Sequence, residues 1–470
     1  MIKYKKFLLD QFTPVSIYHK AKDYFKGEIS FLFESAINKS TGSFSFIIIG
    51  ANETLISKNY ETTLIKSDGT TIINDKNPFE ILKKYYQGVD KNYHKKIIEE
   101  CGVGYVDGFI GYIGYDTVKF FEPSLKPCMD TLSDNMNLPD MYMIRPKLII
   151  AYSHKDSTIS LISSIESMQA NFEHIENVLK SDEHYLPLLI KNDKTIGSLR
   201  DSKDDFFKKI EEGKEHIRSG DVFQILISSQ YSKKTTLDPF SFYRILRTKN
   251  PSPYLFLLEF KDFGIAGSSP EVMVRLHDGE ILLRPIAGTR KRGKNPKRDH
   301  ELEDELKHDT KELAEHLMLV DLGRNDVGRV AKPKSVKVPE LMRVERYSHV
   351  MHLVSDVIAE IEDDKDMFDL FAATFTAGTM TGAPKVKAME LIAKIEGHKR
   401  GFYSGSIGYF GFDGNMDSAI TIRTALFKDG NVFIQAGAGV VADSKPELEY
   451  LEVNNKMGAL ISSIEELMSK

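Results

Sequence analysis

Leu302, Leu306, Leu313, Leu317 and Val320 recur at helical spacing and predict a helix through 311–320. Gly323, within Asp321-Leu322-Gly323-Arg324-Asn325-Asp326, fits the left-handed residue that closes a helix. Glu312 and Glu315 lie three apart, so both carboxylates leave one face. Ser444-Lys445-Pro446-Glu447 has the form of a capping box with proline in the first turn, and predicts a second helix. That helix carries Glu449 and Glu452, again three apart. Either pair alone reads as a solvated acidic face. Two such helices, brought together, would cage a hard cation. Neither pair has a His or Cys at ligand spacing, so magnesium suits the donors better than zinc.

Elsewhere the apolar runs are short and of β type. Strands are expected at 44–49 and 146–152. Between them the glycines of Gly108-Phe109-Ile110-Gly111-Tyr112-Ile113-Gly114-Tyr115-Asp116 allow backbones to pass closely, a packing role. A polar stretch over 191–205 reads as a linker. A helix over 205–218 follows, then a strand over 221–228 and further strands over 256–260, 271–276 and 280–283. His277-Asp278-Gly279 joins the last two as a hairpin turn. Residues 366–377 read as helix. Gly378-Thr379-Met380-Thr381-Gly382-Ala383-Pro384-Lys385 has the wrong glycine-to-lysine spacing for a phosphate loop. It reads as a tight turn, with Thr381 capping a helix over 386–395. A meander closes the chain, with strands over 405–412, 416–427 and 432–441 and turns at Asp413-Gly414 and Asp429-Gly430. Consecutive hairpins with inserted helices predict an antiparallel α+β fold, a sandwich-like core with helices outside. The division expected is an N-terminal region over 1–195 and a catalytic domain over 200–470.

Composition narrows the class. The chain has 470 residues, 41% of them hydrophobic, enough for a sizeable core. A net charge of -5 without a basic block argues against nucleic acid as partner. Cys101 and Cys128 are the only cysteines, so neither a disulfide framework nor a cysteine zinc site is expected. The first residues lack the apolar region of a signal peptide, and no run is long enough to span a bilayer. A soluble, cytoplasmic protein is the expectation.

Three features outside the helices suggest chemistry. Alternation along 416–427 sets Arg423 among small residues, with space above the sheet for bidentate capture of a carboxylate. Gln435-Ala436-Gly437-Ala438-Gly439 places two glycines in a strand interior, which fits close approach of a ligand to backbone N–H groups. His352 sits in an apolar run, where a satisfied core histidine is the plainer reading.

Taken together, Asp221-Val222-Phe223-Gln224, Pro285-Ile286-Ala287-Gly288-Thr289, Lys311-Glu312-Leu313-Ala314-Glu315-His316, the 321–326 stretch, the 378–385 turn and 435–440 resemble the chorismate-utilising enzyme family. The resemblance implies magnesium held by Glu315 and Glu452, with Glu312 and Glu449 beside them. It implies a ring-carboxylate site at Gly437, Ala438, Gly439, Gly288 and Thr289, and Tyr403, Arg423 and Lys456 around the rest of chorismate. It also implies catalytic places for His352, Glu312, Gln224 and Thr379, with His352 near the departing C4 hydroxyl.

Two positions choose among relatives. Family members that add water carry a Lys base where this chain has Gln224, and aminodeoxychorismate synthases carry a covalent Lys where it has Ala287. The resemblance therefore implies ammonia addition at C2, giving anthranilate and pyruvate; an aminodeoxychorismate synthase component is the alternative. Intact Glu, His and Arg positions argue against a catalytically dead regulatory paralogue. Neither cysteine sits in a nucleophile motif, so ammonia would come from a separate glutamine amidotransferase subunit. Leu32-Phe33-Glu34-Ser35 resembles a tryptophan feedback site, with Glu34, Ser35, Pro253, Tyr254 and Leu255 forming the pocket.

Overall fold

The computed structural model describes residues 1–35, 44–74, 77–181, 186–191, 195–347 and 350–468. Part of the expected linker (192–194), and Ser348 and His349 beside His352, lie outside the described residues.

Among the described residues, twenty strands join into one hydrogen-bonded network, and three more form a separate small sheet. Every pairing between these strands is antiparallel, as expected, with helices against the faces. Neighbours along one strand enter different cores: Ile48 joins one apolar cluster, Ile47 and Ile49 the other. Both faces are therefore buried, which is why 46–49 is a continuous apolar run rather than an alternating one. Phe206, Phe242 and Leu460, from the helices Lys203–Arg218, Pro239–Lys249 and Pro446–Met468, fill the second cluster. The network crosses the boundary expected near residue 200. Ser30–Glu34 pairs with Tyr254–Glu259, and Gly108–Ile113 pairs with Ser406–Gly411.

Local chemistry explains most element ends. Ser202 caps Lys203–Arg218 through the Asp205 N–H, and Asp309 caps Thr310–Gly328 through the N–H groups of Lys311 and Glu312. Asp278-Gly279 and Asp429-Gly430 have positive φ at both positions, the geometry of a tight hairpin turn. Gly108 and Gly111 are packing glycines: a Cβ on either would stand 2.2 Å from a backbone oxygen of the adjoining strand.

Four expectations need correction. Gly323 does not end its helix, which continues to Gly328; its bare Cα faces Leu283, whose Cδ2 would lie 3.0 Å from a Cβ. Thr381 does not cap Lys385–Glu396, whose cap position is Pro384; its hydroxyl donates back to the carbonyls of Ala377 and Gly378. Ser444 accepts from the Val441 N–H at 3.0 Å and bonds to the Glu449 side chain, so its hydroxyl serves the preceding turn and the acidic pair. The stretch 416–427 is two strands, Met416–Ile420 and Thr424–Lys428, broken where Arg423 takes φ 52°.

Candidate active site

The small sheet pairs Val350–Val354 with both Ile286–Lys291 and Arg343–Arg346. Its register slips between Ala287 and Thr289, and Gly288 is the bulged residue, at φ 60°. A Cβ there would meet Leu306 at 2.9 Å and Glu312 Oε2 at 3.2 Å. The bulge thus brings bare backbone against the first acidic helix. Thr289 stands opposite His352, and His352 Nδ1 lies 3.0 Å from Thr289 Oγ1 and 3.1 Å from the Gly288 carbonyl. A carbonyl accepts only, so that bond places a proton on Nδ1 and leaves Nε2 for another partner. Burial, then nearby Arg423, hold the imidazole below its ordinary pKa, against the pull of the Gly288 carbonyl and Glu345. His352 is therefore neutral near pH 7.

The large sheet supplies the opposite wall. Gln224–Lys234 pairs with Asn431–Val440, setting Leu226 opposite Gly439 and Ser228 opposite Gly437. A Cβ on Gly439 would stand 2.5 Å from Gln224 Nε2 and 3.5 Å from Glu315 Oε1. One on Gly437 would meet Tyr403 Oη at 3.0 Å. Gly439 therefore faces the acidic helix and Gly437 faces Tyr403, whereas Ala438 between them enters the second core cluster. Gln224 Nε2 donates to Glu315 Oε1 at 3.2 Å.

The acidic pairs converge on this space. Burial raises the Glu315 carboxyl above its ordinary pKa, and the charges of Glu312 and Glu452 raise it further; Lys311 and Lys456 oppose them. Burial raises Glu449 too, Ser444 opposing and Glu452 adding. Arg290 holds Glu312 at 3.2 Å, and Lys456 holds Glu452 at 2.6 Å. Among the described residues no three acidic, His or Cys side chains close into a finished metal cluster. Even so, the half-buried Glu315 and the buried Glu449, both raised by burial and then by like-charged neighbours, fit the charge of a cation. An all-carboxylate donor set fits a hard one.

Lys456 also donates to the Gly437 carbonyl at 2.9 Å, and its own carbonyl accepts from Arg423 Nη1 at 2.9 Å. Arg423 is not on the open face of a strand, as alternation suggested. The break between the two strands turns it toward the helix Pro446–Met468, where it reaches the Lys456 carbonyl. Contacts thus link Gly288 with Glu312, Gly439 with Glu315, and Gly437, Arg423 and Glu452 through Lys456, whereas Ala438, expected to touch substrate, points into the second core cluster instead.

One residue went unnoticed in the sequence. Glu271 is buried, accepts a hydrogen bond from Thr379 Oγ1 at 2.9 Å, and lies within reach of the Ile286 N–H and the Lys456 charge. Burial pushes its carboxyl up to about 8 against those three stabilising partners. Thr379, expected at a catalytic place, acts on Glu271 directly. An unpaired acid between Ser-Ser-Pro and Val-Met-Val was the available signal, and strand periodicity hid it.

Glu34, at the end of its strand, stands opposite Leu255. It accepts from Tyr243 Oη at 2.5 Å and Arg247 Nη2 at 3.1 Å. Tyr254 Oη donates to Asp417 at 2.9 Å, and Ser35 and Pro253 are half-buried beside these residues. Of the five residues expected to form a second pocket, Glu34 and Leu255 pair across the sheet, while Tyr254 packs into the other apolar cluster from Leu255.

Among the described residues no helix is long and apolar enough to cross a membrane. The sequence signature described as chorismate binding enzyme matches residues 30–462. Anthranilate synthase component 1 of Aquifex aeolicus is 40% identical over 98% of this chain and 94% of its own length. The protein of that name from Lactococcus lactis is 38% identical over 98% and 99%. The crystal structure of anthranilate synthase component I from Streptococcus pneumoniae superposes with a TM-score of 0.78 at 32% identity, covering 90% of this chain and 93% of that one. The menaquinone-specific isochorismate synthase MenF of Escherichia coli, 19% identical with a TM-score of 0.72, shares the fold. The signature and these relatives, matched over nearly their full length, together establish that the chain belongs to the chorismate-binding enzyme family, among the anthranilate synthase component 1 proteins.

Proposed function

We propose that the chain converts chorismate and ammonia to anthranilate and pyruvate. The observation that carries this reading is the ring of Gly288, Gly437 and Gly439 backbone, Arg423, Tyr403 and two acidic helices around one space, in a chain of this family. Chorismate carries two carboxylates. Magnesium, held by Glu315 and Glu452 with Glu312 and Glu449 beside them, would neutralise the ring carboxylate. Arg423 and Tyr403 face the enolpyruvyl carboxylate, a charge-assisted contact. Lys456 holds the Gly437 backbone and Glu452 in register.

Glu271 keeps its proton at neutral pH, with Thr379 Oγ1 and the Ile286 N–H on its carboxyl, and is placed to protonate the leaving C4 hydroxyl. His352, neutral and with Nε2 clear of the Gly288 carbonyl, orients that hydroxyl. This moves the acid's role from the histidine expected on resemblance to a carboxyl whose surroundings suit it. Gln224 is an amide bonded to Glu315 and cannot deprotonate water, which favours ammonia as nucleophile. Ala287 offers no amine for a covalent adduct, which disfavours the aminodeoxychorismate branch.

Ammonia would come from a separate glutamine amidotransferase subunit. With chorismate and magnesium, the purified chain should turn over with ammonium chloride and stay idle with glutamine. Glutamine-dependent turnover by the pure chain would contradict the proposed partner; no turnover with ammonium would contradict the function.

Feedback by L-tryptophan is proposed at Glu34, Ser35, Pro253, Tyr254 and Leu255. A bulky Ser35→Phe change should weaken inhibition by about tenfold or more while leaving uninhibited turnover in place. The chain has no Trp, so binding can be followed by the fluorescence of the ligand itself. Unchanged inhibition would show that tryptophan binds elsewhere.

A further inference from the structure

The small sheet has two unlike faces. On one, Val344, Met351 and Leu353 pack into a core of their own with Leu302, Leu306 and Leu313 of the helices Pro296–His308 and Thr310–Gly328. The other carries a polar row across three strands: Thr289 stands opposite His352, and His352 stands opposite Glu345. Cross-strand neighbours of this kind have Cβ atoms about 5 Å apart. Thr289 and the Gly288 carbonyl hold one side of the imidazole. Glu345 flanks the other.

Glu345 is itself held from two directions. Tyr347 Oη donates to Glu345 Oε2 at 2.9 Å, and the Tyr347 ring stands edge-on to the His352 ring, with 5.6 Å between centres. Arg343 donates to Glu345 Oε1 from Nε at 3.1 Å and from Nη2 at 2.9 Å. The same guanidinium reaches Asp356 at 2.8 Å, and Glu340 approaches it from solvent at 3.0 Å. Arg284 lies 2.7 Å from Asp356 and 3.6 Å from Glu345. Each arginine thus faces both Glu345 and Asp356, and these four groups together carry no net charge. Burial works against the Glu345 charge, but Arg343, Arg284 and Tyr347 outweigh it and hold the carboxyl below its ordinary pKa.

Four charges on a half-buried sheet face need a reason, since single surface pairs contribute little to stability. The charges that bear on His352 are Arg423 and Glu345, of opposite sign. A bare carboxylate one strand away would favour the imidazolium. The imidazolium has no lone pair on Nε2 and could not accept from the C4 hydroxyl. Two arginines on Glu345 offset that pull, while the carboxylate still keeps Tyr347 in place against the ring.

We propose that Glu345 and Tyr347 are positioning residues for His352, and that Arg343 and Arg284, shared with Asp356, cancel the Glu345 charge so that the imidazole is oriented without being protonated. This rests on the reading that neutral His352 orients the C4 hydroxyl.

The His352 ring can be titrated by NMR in the full, ligand-free chain carrying ring-labelled histidine, its signal assigned by its loss in His352→Gln. Arg343→Met unmasks Glu345 and should move the midpoint to higher pH by about half a unit or more. Glu345→Gln should move it lower, and the double variant should return it close to the unmodified chain's. The acidic limb of kcat/KM should follow in the same order. Tyr347→Phe, which keeps the ring and loses the tether, should lower kcat about 2- to 10-fold. If Arg343→Met does not fold, the isosteric Glu345→Gln carries the test by its direction. A midpoint that stays put, or one that moves the same way in both single variants, overturns the proposal. The titration needs no turnover, so the expected shifts in a chain that makes no anthranilate would contradict the proposed reaction and leave the charge balance around His352 standing.

Discussion

Glu315→Gln should leave the chain folded and lower its turnover on the order of 100-fold, with Glu452→Gln behaving alike. The reason lies in the sign of the local charge. Glu315 is half-buried, and both Glu312 and Glu452 disfavour its ionisation. Without a cation, its negative charge is a cost to the fold. Removing it should hold or raise the thermal midpoint in chelator, because a repulsion disappears. With magnesium present the order should reverse, since the intact chain gains a ligand and the variant gains less. A Glu whose role was only to hold the helix would give the opposite pattern, losing stability and activity together. Full turnover in excess chelator would contradict magnesium dependence altogether.

Glu271→Gln is the second large effect. General acid catalysis is typically worth about 100- to 10,000-fold, and a loss within that range is expected in kcat. The pH profile separates this from a packing defect. The carboxyl titrates at about 8, so it carries its proton at pH 7 and loses it as pH rises through 8. Turnover that needs the protonated form should therefore fall on the alkaline side of about pH 8 in the unmodified chain. That limb should vanish in the glutamine variant, which cannot ionise. Thr379→Val removes the hydroxyl that donates to the ionised form, so it should move the limb to higher pH. A limb unchanged in Glu271→Gln would return the acid's role to His352.

What the sequence revealed follows from how far each signal reaches. Glu312, Glu315, Glu449 and Glu452 were legible because a helix puts residues three apart on one side, and both helices form as expected. The turns at Asp278-Gly279 and Asp429-Gly430 were legible because their φ values demand those residues. The break at Arg423 was not, because 416–427 alternates acceptably as one strand and only the surrounding fold imposes the positive φ. Gly323 misled because a helix-ending glycine and a packing glycine look alike until Leu283 is seen against it. Glu271 escaped because its partner Thr379 is 108 residues away and its burial is a property of the assembled site. The roles of Gly437, Gly439 and Gly288 could be suspected from composition, yet only the register shows which glycines face the acidic helices and that Ala438 does not.

Product identity tests the central claim most directly. The purified chain, given chorismate, magnesium and ammonium labelled with heavy nitrogen, should yield labelled anthranilate and pyruvate in equal amounts. Gln224 lacks the basicity to recruit water, and Ala287 lacks the amine that would redirect nitrogen to C4. Accumulation of 4-amino-4-deoxychorismate, or of isochorismate without the label, would contradict the account.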